Sequence, residues 1–270
     1  MPTNNNQDNL YVDNLLRHLA TQHPIFWSRK DLSLMGIPDI LPTVPIPPTD
    51  ISGLSFTEEA ELRSLVVAIA DWFGECRGMT IMTNSLHPLL KLGELRYRLK
   101  PVCLISCVNI PCIVYLDAPL REYYRGTYRG RIIQDFLKLS ALGQSDDTLE
   151  PFDFGMLIAL AQEQKFFEVQ PDVDGSYTTR ILYPDSALQK FIIVTAKVMV
   201  ETLEALENND EVVRKVKISR YTVPLGDTCK EKDSALLKIM ATILDDGIRA
   251  GATAPIYPED EDDEEDEDER

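Results

Sequence analysis

The stretch from Glu94 to Leu116, ELRYRLKPVCLISCVNIPCIVYL, constrains the fold more than any other part of the chain. Its first run, Glu94–Leu99, alternates apolar with charged residues, which predicts a strand with one buried face and one solvent face. The second run, Val102–Val108, is apolar on both faces, as is typical of a strand inside a covered sheet. A third run, Cys112–Leu116, follows. The two breaks are too short for parallel crossovers, so we expect an antiparallel meander.

The chain of 270 residues, with 44% hydrophobic and 26% charged residues, has the composition of a globular protein and is long enough for a large core. Helical and strand periodicities both occur around the meander. We therefore predict an α+β fold, in which a mostly antiparallel sheet built on the meander (about 94–116) is flanked by helices. The predicted domain covers 9–250. We expect residues 1–8 and the acidic tail 251–270 to be disordered.

A proline-rich arm occupies residues 23–50 of this predicted domain and carries six prolines. Prolines at this density exclude regular helix and central strand. Apolar residues lie between the prolines, so we predict an extended arm that packs along the surface of the domain. The alternative is a docking motif for an aromatic-lined groove on a partner.

The second half of the predicted domain contains one long helix, over Phe152–Phe167, and a set of strands. Tyr177–Tyr183 and Phe191–Thr195 read as a hairpin, and from Thr195 the pattern changes to that of a helix. Val212–Val223 alternates again, which predicts another long strand.

The cysteines and the termini indicate the compartment. The number of cysteines, five, is odd, and their positions are typical of core residues. The first residues lack the pattern of a secretory signal. No apolar run reaches the roughly 18 residues that a membrane span needs. We predict an intracellular protein, cytoplasmic or nuclear, without a membrane partner. Cys103, Cys107 and Cys112 lie inside predicted strands rather than at zinc-ligand spacing, so we expect no metal and no cofactor.

Sequence motifs for catalysis do not occur: the chain has no P-loop, no dinucleotide glycine fingerprint and no nucleophile elbow. We therefore name no catalytic residue and leave open whether the protein is an enzyme.

The order of helix, strands, helices and strand is similar to that of metal-dependent nucleases of the restriction-enzyme type. This resemblance implies an acidic residue on one strand and an acid-x-lysine triplet on the next. Asp185, followed by Thr195-Ala196-Lys197, lacks the second acid, and Glu163-Gln164-Lys165 carries the triplet on a predicted helix. Because the pattern is incomplete, we do not assign the chain to these nucleases, and divalent-metal cleavage of nucleic acid is kept only as the alternative function.

A segment with four arginines and three tyrosines in eleven residues follows the meander, at 121–131. It leads into a predicted helix, whose positive N-terminus disfavours arginine unless an anion is near. Helix amides and guanidinium groups together form anion sites. The predicted anion-binding residues are Arg121, Arg125, Arg129, Arg131, Tyr124 and Tyr128.

Three occupants of this anion site remain open. The first is the phosphate backbone of single-stranded nucleic acid, with bases stacked on the tyrosines. The second is the acidic tail, folded over the arginines. The third is the set of carboxylates elsewhere on the domain, such as Asp146, Asp147 and Glu150, because pairing of surface charges is common and contributes little energy.

The acidic tail dominates the charge of the chain. Eleven acids and one arginine from Glu259 to Arg270 account for −10 of the formal charge of −17, which leaves −7 for the other 258 residues. Such a block stays disordered and acts either as a solubilising appendage or as a long-range attractor of basic proteins. The acidic residues are Glu259, Asp260, Glu261, Asp262, Asp263, Glu264, Glu265, Asp266, Glu267, Asp268 and Glu269.

These features favour a non-enzymatic, intracellular protein-interaction or regulatory module with an acidic electrostatic tail. The expected partners are basic proteins, held through the tail. The alternative is a metal-dependent nuclease-like or nucleic-acid-binding protein that uses the anion site at 121–131. Nucleic acid is the less favoured partner, because the tail repels polyanions.

Overall fold

A computed structural model of the chain describes residues 19, 23–24, 27, 29–46, 79–83, 87–107, 110–116, 149–185, 187, 189–208, 216–228, 230–231, 234–239 and 241–242. The predicted limits of the domain, at 9 and 250, lie outside these residues. So do the predicted disordered residues 1–8 and the tail 251–270.

The described elements include both helices and strands. The helices are α1 (Arg29–Leu34), α2 (Pro151–Phe166) and α3 (Val200–Asn208). The strands are β1 (Met79–Thr83), β2 (Leu89–Leu92), β3 (Leu95–Arg98), β4 (Cys103–Cys107), β5 (Ile110–Tyr115), β6 (Ser176–Pro184), β7 (Lys190–Met199) and β8 (Lys217–Pro224). Most strand pairs are antiparallel, so the predicted α+β class is confirmed. Among the described residues, no helix is both long and apolar enough to cross a bilayer.

The main sheet has six strands in the order β1-β4-β5-β6-β7-β8. Every neighbouring pair is antiparallel except β5 and β6, which run parallel. A parallel pair needs a long crossover, and α2 lies within that connection and packs on both strands. The central strands are buried on both faces: Ile113, Ile181 and Ile193 have no exposed surface.

The predicted meander is wrong in its first strand. Strand β3 pairs with β2, not with β4, and the two form a separate two-stranded sheet. The turn between them is Gly93-Glu94, and Gly93 adopts a φ of 56°, which glycine accepts without steric cost. Because Arg96 and Arg98 occupy one whole face of β3, that face cannot be covered inside the main sheet.

Helix α2 is the central helix of the described structure, and the prediction for 152–167 is correct to within one residue. It is buried nearly all round, because the main sheet covers one side and β2 and the N-terminal segment cover another. The contact is closest at Gly155, where an added Cβ would lie 2.6 Å from the Cβ of Pro24. Glycine is therefore required at this crossing.

The predicted change to helix at Thr195 is wrong. Strand β7 continues to Met199, and α3 begins at Val200. The last residues of β7 still alternate between buried and partly exposed side chains, with Ala196 and Val198 fully buried. This part of β7 is paired with β6 as far as Met199 and with β8 as far as Lys197, and that pairing overrides the local helical pattern.

The proline-rich arm contains a short helix that the sequence reading excluded. Helix α1 lies between Pro24 and Pro38, where no proline interrupts the chain. The following residues then run beside β8. Thr43 forms a parallel bridge with Arg220, whose amide donates to Pro42 O at 2.9 Å and whose carbonyl accepts from Val44 N at 2.8 Å. The arm thus covers the outer edge of β8, and its later prolines cannot donate to a longer ladder.

Candidate functional site

The residues predicted to form the anion site lie outside the described part of the chain. These are Arg121, Tyr124, Arg125, Tyr128, Arg129 and Arg131. The acidic residues 259–269 also lie outside it. Both predictions therefore stand as predictions.

The residues of the nuclease-like pattern on β6 and β7 are described, and they lie at opposite ends of the hairpin. Lys197 faces Thr178 across the strands, while Asp185 follows Pro184 at the other end. Six residues of extended strand separate these positions, which is about 20 Å. The Oδ1 atom of Asp185 instead accepts from the amide of Gln189 at 2.7 Å, so the carboxylate holds the turn.

The two charged residues of the acid-x-lysine triplet on α2 each contact a different part of the fold. Glu163 accepts from the amide of Leu89 at 3.1 Å, and Lys165 donates to Glu207 at 2.9 Å. Gln164 is buried between them and donates to the carbonyl of Pro111 at 2.7 Å. Among the described residues, no three His, Cys, Asp or Glu side chains are grouped so that they could hold a metal ion.

Lys197 belongs to a self-contained acidic turn before β6. Its Nζ lies 3.3 Å from Asp172 Oδ2 and 3.6 Å from Asp174 Oδ2. Thr178 donates to Asp172 at 2.7 Å, and Ser176 donates to Asp174. The hydrogen bond from Ser176 chiefly lowers the pKa of Asp174, and the charge of Lys197 adds to that effect. The cation of this turn is therefore matched by its own carboxylates.

The β2–β3 hairpin shows the opposite arrangement. Lys91 lies directly across from Arg96, and Arg98 follows two residues later on the same face of the strand. We call these three residues the basic hairpin face. Like charges in directly opposite positions destabilise a strand pair. Within the described ranges, no carboxylate forms an ion pair with any of the three.

Two phenylalanines at the end of α2 extend this surface, and we call them the aromatic pair. Phe166 is 67% exposed and Phe167 is 50% exposed, and their ring centroids lie 5.4 Å apart in an edge-to-face geometry. The Nζ atom of Lys91 lies 5.5 Å from the centre of the Phe166 ring, within the range of a cation–π contact. Exposed aromatic side chains beside cations suit a ligand that is both anionic and apolar.

Gln162 fixes the aromatic pair next to the basic hairpin face. Its side-chain amide accepts from the backbone N–H of Lys91 at 2.8 Å and donates to the backbone carbonyl of Lys91 at 2.9 Å. The helix thereby satisfies the outer edge of β2, as a neighbouring strand would. Glu163 adds the bond to Leu89 described above. The position of the surface is therefore set by backbone contacts rather than by its exposed side chains.

The hairpin also carries a local excess of positive charge. Four cations and one carboxylate, Glu94, occur between residues 89 and 100 of a chain with a net charge of −17. Burial lowers the pKa of His87, and the nearby charges of Lys100 and Arg98 lower it further, as expected in a positive potential. Local rules fail most often at functional sites, which makes this surface the candidate site.

Sequence reasoning identified only part of this surface. The alternation in Glu94–Leu99 placed Arg96 and Arg98 on a solvent face, but nothing in the pattern paired Lys91 with Arg96. Phe166 and Phe167 were read as the end of a helix, and their exposure follows from where α2 ends. A useful signal was their position directly before Glu168, beyond the last buried turn.

Chemically, the basic hairpin face and the aromatic pair can bind an acidic segment that carries an aromatic or aliphatic side chain. Their functional groups are ammonium, guanidinium and phenyl. No protein-family model matches this chain, and a search of curated proteins finds no similar sequence.

Proposed function

We propose that this chain is a non-enzymatic interaction module that captures basic protein surfaces through its acidic residues 259–269. The observation that carries the proposal is the uninterrupted run of eleven carboxylates. Such a run attracts cations over distances comparable to the Debye length, about 8–10 Å at physiological salt, and speeds the encounter with a basic partner.

Three ion pairs in the described residues support the choice of the tail as the attracting element. The acids Asp172 and Asp174 are already paired with Lys197, and Glu207 is paired with Lys165. A basic partner would have to displace these internal cations to use those carboxylates. The acids of 259–269 are adjacent in sequence to one arginine alone, Arg270.

The proposed location is the interior of the cell, in the cytoplasm or the nucleus. Cys103 is a buried free thiol, and burial raises its pKa to about 12. A thiol of this kind is inert at neutral pH and serves as a small core residue. This role agrees with a compartment in which disulfides are rare.

The test is capture of an immobilised lysine-rich peptide by the full-length chain, measured over a salt series. The matched control is a full-length chain in which every acid of 259–269 is changed to its amide, so that length is kept and charge is lost. We expect retention by the native chain at 50 mM salt, loss by about 300 mM, and no retention of the amide variant. Equal retention of both chains would refute the proposal.

Nucleic-acid binding by the arginine–tyrosine segment at 121–131 is the alternative proposal. It rests on the pattern of arginine with interleaved tyrosine, which suits stacked bases and phosphates. Fluorescence anisotropy of a labelled single-stranded oligonucleotide, titrated with the amide variant, tests it. Binding that is lost on Arg125→Glu and Arg129→Glu supports this alternative, and a magnesium- or manganese-dependent cleavage product supports its nuclease form.

A further inference from the structure

The basic hairpin face carries like charges whose repulsion a negatively charged neighbour would offset. Lys91 and Arg96 face each other across the strands, and Arg98 lies on the same face. The salt bridges of Lys165 and Lys197 involve other carboxylates and leave these three cations untouched. The exposed aromatic pair lies beside Lys91 and adds an apolar half to the same surface.

One segment of this chain has both halves of the complementary chemistry, and in one continuous order. Ile256, Tyr257 and Pro258 immediately precede the acids 259–269. An aliphatic and an aromatic side chain suit Phe166 and Phe167, and carboxylates suit the three cations. The two halves of the surface are joined at the contact between Lys91 and Phe166, just as the two halves of the segment are joined at Pro258.

We propose that residues 256–269 bind the body of their own chain, with Ile256 and Tyr257 against the aromatic pair and the first acids against the basic hairpin face. The segment then stays bound to its own chain until a basic partner competes for its carboxylates. The proposal stands apart from the proposed function, because this contact within the chain can form whether or not the tail recruits partners.

The intervening chain sets how far the segment can reach from the described body. Fourteen residues lie between Thr242, the last described residue, and Tyr257, and the fifteen steps of a fully extended chain reach about 50 Å. Tethering also raises the effective concentration of the segment to about the millimolar range, so a weak contact is well occupied. A second copy of the chain at micromolar concentration lacks this advantage.

Charge argues against nucleic acid as the occupant. A phosphate backbone that approached the hairpin would meet the net charge of −17, most of it in the tail. The acidic segment is already attached to the chain, and its approach is opposed only by the −7 of the other residues. The same three cations therefore favour the tethered polyanion over a free one.

The test is zero-length carbodiimide coupling of the full-length chain, followed by identification of the joined peptides by mass spectrometry. Lys217 and Lys230, which are both exposed, serve as matched control lysines for random encounters. We expect Lys91 to couple to acids of 259–269 at least tenfold more than either control lysine. The yield should not change between 1 and 50 µM protein, and it should fall at 500 mM salt.

Two full-length variants locate the contact. Arg96→Glu with Arg98→Glu should lower the yield at Lys91 about tenfold, and Phe166→Ser should lower it severalfold, whereas Lys217→Glu should leave it unchanged. All these positions are exposed, and circular dichroism checks that each variant folds.

Coupling at Lys91 no greater than at Lys217 would overturn the proposal. Coupling that rises with concentration, and that joins isotope-labelled to unlabelled chains, would assign the surface to a second copy instead. An oligonucleotide that binds the native chain and protects Lys91 would assign it to nucleic acid. Neither of these results depends on capture of a lysine-rich peptide, so this proposal and the proposed function fail separately.

Discussion

The two hairpins β6–β7 and β2–β3 are both antiparallel, but they differ in how their charged side chains are paired. The first is long, and both of its faces are largely buried within the main sheet. Its cation, Lys197, is neutralised by Asp172 and Asp174 of the same chain. The second is four residues long on each side, and its solvent face carries Lys91 opposite Arg96.

The two hairpins therefore show two uses of charged residues, one that stabilises the fold and one that can bind a ligand. Charges that serve the fold have partners fixed by neighbouring residues, as in the turn before β6. Charges that have no such partner in the described residues, as on the basic hairpin face, cost a little stability and are retained on a surface that can bind an anion. Four measurements test this difference between the two hairpins.

The largest effect is expected from Ile193→Ala in β7. Ile193 has no exposed surface, so its truncation leaves a cavity and should lower the free energy of unfolding by about 2–5 kcal/mol. The matched change is Leu95→Ala in β3, at a residue that is 43% exposed, with an expected cost of about 0.5 kcal/mol. Urea unfolding measures both. Equal costs would show that the small hairpin is as much a part of the core as β7.

A smaller effect is expected from Gln162→Ala, which removes the amide that joins α2 to β2. The backbone N–H and carbonyl of Lys91 then lose their partners, at a cost of about 1–3 kcal/mol. Gln170→Ala, at an exposed glutamine, is the control and should change stability by less than about 0.5 kcal/mol. Hydrogen exchange of the Lys91 amide should also accelerate. An unchanged exchange rate would show that α2 does not hold the hairpin.

How much of this the sequence could predict depends on how local each signal is. Helix α2 and the strands β4 to β6 follow from signals in their own residues, which are apolar runs in β4 and β5 and alternation in β6, and alternation also places Arg96 on a solvent face. Strand β2 was not predicted, because LLKL is four residues long and reads as part of a connection. Its pairing is set by the Gly93 turn and by Gln162, which is 71 residues away from Lys91 in the chain.

The candidate site was harder to predict than the fold for the same reason. The contact between Lys91 and Phe166 joins two segments that are distant in sequence, and no short pattern records it. The end of β7 was mistaken for a helix because pairing with two neighbouring strands outweighed local preference. The anion site at 121–131 and the acidic residues 259–269 remain sequence predictions.

Acidification should loosen the buried side of the hairpin. His23 lies edge-on to Tyr97 of β3, with ring centroids 5.3 Å apart, and stacks on Phe152 of α2 at 6.5 Å. Burial lowers the pKa of His23 to about 4 from a usual value of 6.5. Between these two pH values the unfolded chain binds more protons than the folded chain, so the free energy of unfolding falls as the pH falls.

The variant His23→Phe keeps the ring contacts and removes the proton. We expect its stability to decline less than that of the native chain between pH 6.5 and 5. Urea midpoints at four pH values in this window measure the difference between the two slopes. Parallel slopes for the two chains would show that His23 titrates alike in the folded and unfolded states, and that the hairpin is not pH-sensitive through this residue.

The smallest effect is expected from Arg96→Glu, and it connects stability to the tail. In a full-length chain whose acids at 259–269 are amides, Arg96→Glu converts a repulsive pair with Lys91 into an attractive one. This should raise the free energy of unfolding by about 0.2–1 kcal/mol at low salt. Lys197→Glu in the same background should lower it, because the new carboxylate faces Asp172 and Asp174.

With the native tail, the gain from Arg96→Glu should shrink, since the substitution also removes a cation that the acidic segment binds. A gain of equal size in both backgrounds would mean that the basic hairpin face does not contact the tail.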